Sequence, residues 1–506
     1  MEVKTSLKNV CNISFLAASI LYGFYSMKKN PDTEVYIKNE LWHEYNIFCI
    51  CCYGLMLFFF CLIAPQIMMT LIGIIFFGPF DESNIKPIPS FAQLPFICIR
   101  VVTRGSFPKL VRKNVVKNIE TTKACGIKHF VVEVVTDHPI YIEKDLQNYA
   151  EYLKETVVPE NYKSNLDTKK KARALQYCLE KQVNTLKKDD YVVHLDEETL
   201  LTTEAIKGIT NFIIDGKHEI GQGIITYGML PPISSSISSF TWFQHHICTV
   251  ADSLRVSDDV GKNKAQFKIF HKPLFGMKGS YVVTKFKAEN EITWDFGPEG
   301  SVAEDAWFGL AAIERGYTID YIKGDMLERS PFTLLDFIKQ RQRWMQGLFM
   351  VAFLSPMKIK TKICLVMSVS SWLVSPLYTI TIILQKFLWL NPPGLIILIQ
   401  RFMEIYFVAL HVVGYMRQFK CCFGKYLFFI PNIVLGCISN AVLENIATLL
   451  AIKSLLVGDC YGFHVVQKEI LGDNNTSFVS TRTGDGQLRN GFNNNNDTTS
   501  KHDKTI

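Results

Sequence analysis

Three short runs carry side chains able to do chemistry together: Asp196-Glu197-Glu198, Glu304-Asp305 and Gln340-x-x-Arg343-Trp344. In the first, strand-like alternation sends Asp196 and Glu198 to one side of the chain and Glu197 to the other. Two carboxylates at a strand end can hold a hard divalent cation, Mg2+ or Mn2+, with positions left open for phosphate oxygens. Such a cation neutralises a departing diphosphate. The plainer alternative is an acidic turn before a helix near Thr202. The Glu304-Asp305 pair precedes an apolar helix through Leu310 and Ile313, where carboxylates could simply favour the helix dipole. Alternatively Asp305 is a general base for an acceptor hydroxyl, with Glu304 supporting it or binding the acceptor. In the third run Arg343 can grip a diphosphate or carboxylate with two prongs. Trp344 offers a flat face to a sugar ring, and Gln340 lies on the same side. An interfacial Trp with snorkelling arginines is the alternative there.

These runs need a scaffold, and the flanking pattern supplies one. Residues 97–103, 129–136, 190–195 and 220–227 read as strands. A helix opened by Pro108 and closed near Gly126 lies between the first two. Ile142, Leu146, Tyr149 and Leu153 fall at helical spacing, as do Ala172, Leu175 and Leu179. Strands alternating with helices predict an α/β, mainly parallel, doubly wound sheet. Ligands of such sheets sit beyond the carboxyl ends of the strands, where Thr103, Asp137 and Asp196 fall. A basic run, Lys169-Lys170-Lys171-Ala172-Arg173, opens a helix just before the acidic triplet. It is either a solvated patch or a source of diphosphate contacts. Gly276-x-x-Gly279-Ser280 could allow close backbone approach to a ligand. Neither a phosphate-cradling G-x-x-x-x-G-K-[ST] loop nor a zinc-ligand spacing is present, which argues against an ATPase.

The chain has 506 residues, 48% of them hydrophobic, and a net charge of +7. The apolar residues concentrate toward the two ends. Residues 11–27 predict an anchor rather than a cleaved signal. Residues 47–77 predict a span, firmest over 47–64, with Pro65 as a kink or end. Spans are also predicted at 363–384, 394–416 and 427–452, with Arg401, Glu404 and Glu444 as polar residues inside them. The organisation expected is a membrane anchor over 1–80, an α/β unit over 81–355, helical spans over 356–456 and a polar, disordered tail over 457–506. Ser330-Pro331 is expected to open a surface helix over 331–350, with Leu334, Ile338, Met345 and Phe349 as its apolar stripe. The charge reads as cytosolic-side Lys/Arg rather than nucleic-acid affinity, because no basic stripe carries interleaved aromatics. Scattered cysteines in the middle of the chain suggest a reducing compartment. Cys421-Cys422, near the bilayer, is a palmitoylation option.

In this order the motifs resemble those of glycosyltransferase family 2, the inverting transferases built on a GT-A-type nucleotide-binding domain. The membrane branch of that family has an aspartate after the second strand, a Lys-Ala-x-x-Leu helix, D-x-D, T/E-E-D and Q-x-x-R-W. Here these stand as Asp137, Lys171-Ala172-Arg173-Ala174-Leu175, Asp196-Glu197-Glu198, Glu304-Asp305 and Gln340 to Trp344. Glu198 replaces the usual second aspartate, which alters geometry without removing a metal ligand. The stretches 194–202, 294–308 and 341–347 are similar to the animal egghead-type β-1,4-mannosyltransferases. That resemblance implies GDP-mannose as donor, a glucosylceramide-type lipid as acceptor and a divalent metal. It also implies a secretory-pathway membrane, Golgi or endoplasmic reticulum, with the catalytic domain facing the cytosol. Donor binding is implied for Thr103, Asp137, Lys171, Asp196 and Arg343, metal binding for Asp196 and Glu198, and acceptor binding for Glu304 and Trp344. Catalysis is implied for Asp305, Glu304, Gln340, Arg343 and Trp344. Competing readings are a processive polysaccharide synthase, a UDP-glucose-dependent ceramide glucosyltransferase and a non-catalytic membrane scaffold or transporter.

Overall fold

A computed structural model describes residues 47–80, 85–89, 94–229, 238–388, 392–420 and 429–458, with residues 14, 21 and 25. The predicted anchor at 11–27, the Cys421-Cys422 pair and the polar tail lie outside the described stretches. The first described element, α1 (Ile47–Phe77), is a continuous helix through Pro65. Then come β1 (Ile97–Thr103), α2 (Pro108–Ala124), β2 (Phe130–Thr136) and β3 (Leu153–Val157). After these lie α3 (Lys170–Tyr177), β4 (Tyr191–Asp196), α4 (Thr203–Asp215) and β5 (Ile220–Gly228). The helices α5 (Ser239–Ala251) and α6 (Ser253–Asp258) meet at Asp252, and α6 runs on through wide helical turns to Phe270. The domain closes with β6 (Val282–Lys285), α7 (Phe286–Ile292), α8 (Glu304–Glu314), β7 (Ile319–Arg329) and α9 (Leu334–Phe349). Three long apolar helices follow: α10 (Ile359–Phe387), α11 (Gly394–Gln418) and α12 (Ile430–Val457).

The seven strands form one mixed sheet in the order β3-β2-β1-β4-β6-β5-β7. Pairing is parallel from β3 through β4 and between β5 and β7; β6 runs antiparallel to both its neighbours. The four predicted strands are all present. Three escaped the sequence reading. One of them, β3, overturns the predicted helix through Ile142, Leu146, Tyr149 and Leu153. Only a four-residue turn (Ile142–Asp145) and a 3-10 segment (Gln147–Tyr152) form there, and Leu153 starts the strand. The apolar spacing of that stretch is met by edge packing, with Ile142 and Leu153 buried in the main core.

Both faces of the sheet are covered. Val111, Val115 and Ile119 of α2 pack on one side with Ile206 and Ile209 of α4. Leu175 of α3, Phe267 after α6 and Phe308 of α8 pack on the other. That second cluster continues into Ile67 and Ile74 of α1 and into Leu410 and Val413 of α11.

Four described helices are long and apolar enough to cross a membrane: α1, α10, α11 and α12. At 31 residues, α1 is about 46 Å long, more than the ~30 Å hydrocarbon layer needs. Its second half is used as protein core. Gly73 meets the backbone of Gly261, where an added Cβ would lie 2.0 Å from the carbonyl oxygen. Lys264 then donates to the carbonyls of Phe77 and Gly78, both at 2.8 Å, satisfying the end of the helix. The C-terminal half of α11 is likewise buried, and Arg417 pairs there with Asp325 of β7 (2.5 Å).

The predicted start of α9 needs correction. Thr333, not Ser330, caps it, accepting from the Asp336 amide at 3.0 Å. Its buried line runs Phe337–Arg341–Met345, so an arginine replaces part of the expected apolar stripe.

Candidate active site

Parallel strands aim their carboxyl ends at one edge of the sheet, and the chemistry-bearing residues gather there. Thr103 ends β1, Asp137 follows β2, Asp196 ends β4 and Glu328 lies at the end of β7. They line one cavity of about 560 Å³, together with Lys170, Lys171, Arg173, Glu198, Glu304, Asp305, Gln340, Arg343 and Trp344. Every residue singled out in the sequence for donor, metal, acceptor or catalytic work therefore lines the same space.

Strand alternation does not extend through the acidic triplet: Asp196 ends β4, Glu197 and Glu198 lie in the turn after it, and all three line the cavity. Glu197 is buried and accepts a short hydrogen bond from the Thr103 hydroxyl. The Glu197 carbonyl also accepts from Asn114 of α2 at 2.9 Å. These bonds fix the backbone, so that Thr103 tightens the turn as well as facing the cavity. On the open side, Asp196 Oδ1 lies 2.5 Å from Lys171 Nζ, which also donates to the Gly279 carbonyl at 2.9 Å. The same ammonium is 3.8 Å from Glu304 Oε1. Burial alone would lower the pKa of Lys171, but the Asp196 and Glu304 carboxylates outweigh it and hold the ammonium charged.

Gly279 of the Gly276-x-x-Gly279 run lies against charged side chains of the cavity. A Cβ on Gly279 would lie 3.1 Å from Lys171 Nζ and 3.2 Å from Asp305 Oδ2. The glycine leaves the Lys171 ammonium and the Asp305 carboxylate room to share that corner.

Glu304 and Asp305 are the first two residues of α8. The Asp305 carboxyl is pushed up to about 7, first by desolvation and then by the neighbouring Glu304 charge. The amide of Ala306 donates to its Oδ1 at 2.8 Å. A carboxylate with a pKa close to neutral and an edge open to a cavity suits proton abstraction. Asp137 receives Arg173 Nη2 at 2.8 Å, so part of the basic run forms a pocket wall rather than a solvated patch.

For a divalent metal the donor chemistry fits. Asp196 and Glu198 offer hard oxygens to the cavity, and a cation, the Lys171 ammonium, already rests on Asp196. Among the described residues no three His, Cys, Asp or Glu side chains converge on a point. Asp196 and Glu198 would be the residues to hold a metal here.

Several cavity residues were missed in the sequence. Asp252 and Arg255 stand three apart where α5 meets α6, and Glu328 ends a strand that periodicity did not reveal. Burial raises the Glu328 carboxyl, and the nearby Asp196 charge adds to this. Thr199 donates to Glu328 at 2.7 Å. Trp372 comes from α10, one of the membrane-length helices, and with Leu348 gives the cavity an apolar wall. An Asp-x-x-Arg pair and a Trp inside a span were visible signals, though neither type is specific.

A family model described as glycosyl transferase family group 2 matches residues 191–418, from β4 through α11. The chain is 42% identical over 435 residues to "Beta-1,4-mannosyltransferase egh" of Drosophila melanogaster, covering 85% of this chain and 90% of that one. It is 39% identical over 429 residues to "Beta-1,4-mannosyltransferase bre-3" of Caenorhabditis briggsae, covering 84% and 89%. Among solved structures, the mannosyltransferase PcManGT from Pyrobaculum calidifontis, in complex with GDP-Man and Mn2+, is 14% identical. It aligns with a TM-score of 0.41 over 76% of this chain and 98% of that chain. The motif-bearing sheet edge and the family match define a membrane glycosyltransferase with a GT-A-type mixed α/β domain. Within that class, the chain belongs to the β-1,4-mannosyltransferase family of glycosyltransferase family 2.

Proposed function

We propose that this enzyme transfers mannose from GDP-mannose to the 4-hydroxyl of a glucosylceramide-type lipid, with inversion at the anomeric carbon. The reaction is a step of glycosphingolipid synthesis. The observation that carries the reading is a single cavity holding Asp196, Lys171 and the near-neutral Asp305 on one side and Trp372 of a membrane-length helix on another. The 42% identity to a β-1,4-mannosyltransferase supports mannose as the sugar.

Asp196 and Glu198 would hold the divalent metal, which supplies Lewis-acid neutralisation of the leaving diphosphate. Lys171, Arg173 and Arg343 bring positive charge to the same donor, with Thr103 and Asp137 at its nucleotide side. Asp305 takes the proton of the acceptor hydroxyl as that oxygen attacks the anomeric carbon from the face opposite GDP. An α-linked donor thus yields a β-linked product. Glu304 keeps Asp305 basic and faces the acceptor. Gln340 and Trp344 orient the acceptor sugar, and the walls of the cavity exclude water. Leu348 and Trp372 suit the part of a glycolipid nearest its hydrocarbon.

We place the catalytic domain on the cytosolic side of an endoplasmic reticulum or Golgi membrane, because Lys358, Lys360 and Lys362 cluster at the start of α10. The test is label transfer by membranes containing this chain, with GDP-mannose, UDP-glucose or UDP-N-acetylglucosamine offered separately with glucosylceramide and Mg2+ or Mn2+. The expected product is a β-1,4-linked disaccharide lipid from GDP-mannose alone. Transfer from a UDP-sugar, or a long polymer, would overturn the assigned donor and acceptor.

A further inference from the structure

A buried charge cluster behind the helical wall of the cavity joins three elements that sequence keeps far apart. Asp252 lies between α5 and α6, Arg341 on α9 and Glu444 on α12; Asp252 and Arg341 are almost fully buried. Asp252 Oδ1 accepts from Arg341 Nη2, and Asp252 Oδ2 accepts from the Ser330 hydroxyl. Glu444 Oε1 lies 2.7 Å from Arg341 Nε, and Arg255 Nη1 lies 3.9 Å from Asp252 Oδ1. Both guanidinium groups then pack on one indole: Arg341 is 4.1 Å and Arg255 4.2 Å from the centre of the Trp344 ring. Arg341 also covers Phe337, and Arg255 covers Tyr227.

Buried ion clusters are costly to desolvate and are poor sources of stability compared with apolar packing. Their value lies in geometry, and this geometry converges on Trp344. Tryptophan gives the strongest cation–π contact of the aromatic side chains, more so away from water. Asp252, Arg255 and Trp344 line the cavity, whereas Arg341 and Glu444 do not. We infer that Arg341 and Glu444 are positioning residues: anchored by Asp252, they fix the Trp344 indole at the acceptor side of the cavity and link that wall to the apolar helix α12. This rests on the reading of Trp344 as an acceptor contact.

The test uses the full chain in membranes, with donor and acceptor kinetics measured separately. Glu444→Gln preserves shape and removes the charge. Its acceptor KM should rise about tenfold, the scale of losing one charged partner, while the donor KM and the acceptor-free hydrolysis of donor stay within about twofold. Arg341→Lys should act in the same direction, and Glu444→Asp, which restores the charge, should recover most of the loss. In a Trp344→Ala background Glu444→Gln should add nothing to the acceptor KM. Equal movement of donor and acceptor constants, no movement of either, or full additivity with Trp344→Ala would overturn the inference and leave the cluster a packing feature. If Trp344→Ala alone leaves the acceptor KM unchanged, the acceptor reading of Trp344 is what fails.

Discussion

The two flanks of the sheet solve different problems. On the β3-β2-β1-β4 flank the strands are parallel, and the ends of β1, β2 and β4 bring charged or hydroxylic side chains to the cavity, among them Thr103, Asp137 and Asp196. On the β6-β5-β7 flank the antiparallel β6 breaks the pattern, and helices join the strands in building the cavity wall, Asp252, Arg255, Trp344 and Trp372 beside Tyr227 of β5 and Glu328 of β7. The first flank is polar and suits a nucleotide diphosphate. The second is aromatic and cationic and is built against helices that face lipid. In the proposed function, charge placed by strand ends serves the donor and shape placed by helix packing serves the acceptor.

Breaking the reacting pair should separate these flanks most sharply. Asp305→Asn should lower transfer by about 10²–10⁴-fold and leave donor affinity nearly intact, measured as single-turnover transfer beside GDP-mannose binding; parallel loss of donor binding would count against the base role. The same variant probes stability. A carboxyl raised to about 7 stabilises the fold below its unfolded value near 4 and loses that contribution as pH rises through 7. Asp305→Asn should therefore melt higher than the parent above pH 7 and match it in acid.

Next in size is the strand-end flank. Asp196→Asn should cut kcat/KM about 100-fold and weaken the dependence on Mg2+ or Mn2+. A metal titration of activity and of donor binding checks this. The titration of Asp305 sets the third effect: only its ionised form accepts a proton, so kcat/KM should fall about tenfold per pH unit below 7. Asp305→Glu should move that inflection, whereas a change confined to the helical flank should not. The smallest effect belongs to the helical flank: Trp372→Ala should raise the acceptor KM about threefold at constant donor KM, as loss of one partly exposed aromatic contact. An acceptor sugar freed of its lipid should be indifferent to that change.

The same division explains what could be read before the fold was known. The polar flank was legible because chemistry and periodicity coincide there: β1, β2 and β4 are each mainly apolar, broken by one of Arg100, Glu133 and His194, and reach a polar terminus, and Asp196, Lys171 and Asp305 stand in recognisable runs. The α/β class, the mixed sheet's parallel half and the four apolar helices that are described followed from such patterns. The helical flank was not legible. Arg341 reads as a snorkelling surface residue from its helix alone and is buried only because Asp252 and Glu444 arrive from elsewhere. Glu328 ends a strand whose charged residues, Asp320, Lys323, Asp325 and Glu328 itself, hide its β character. Leu153 kept helical spacing with Ile142 although the chain between them is too short and polar to do more than turn. Partners distant in sequence leave no periodic trace.

The union of α1 with α6 has a mechanical meaning. Where Gly73 meets Gly261 and Lys264 holds the last carbonyls of α1, a membrane-length helix and the catalytic domain share one packed seam. With α1 in a bilayer, as the proposed function has it, that seam would tie the height of Asp305 to the position of the span. For a lipid acceptor, such a stand-off would act as a gauge of how far the headgroup projects.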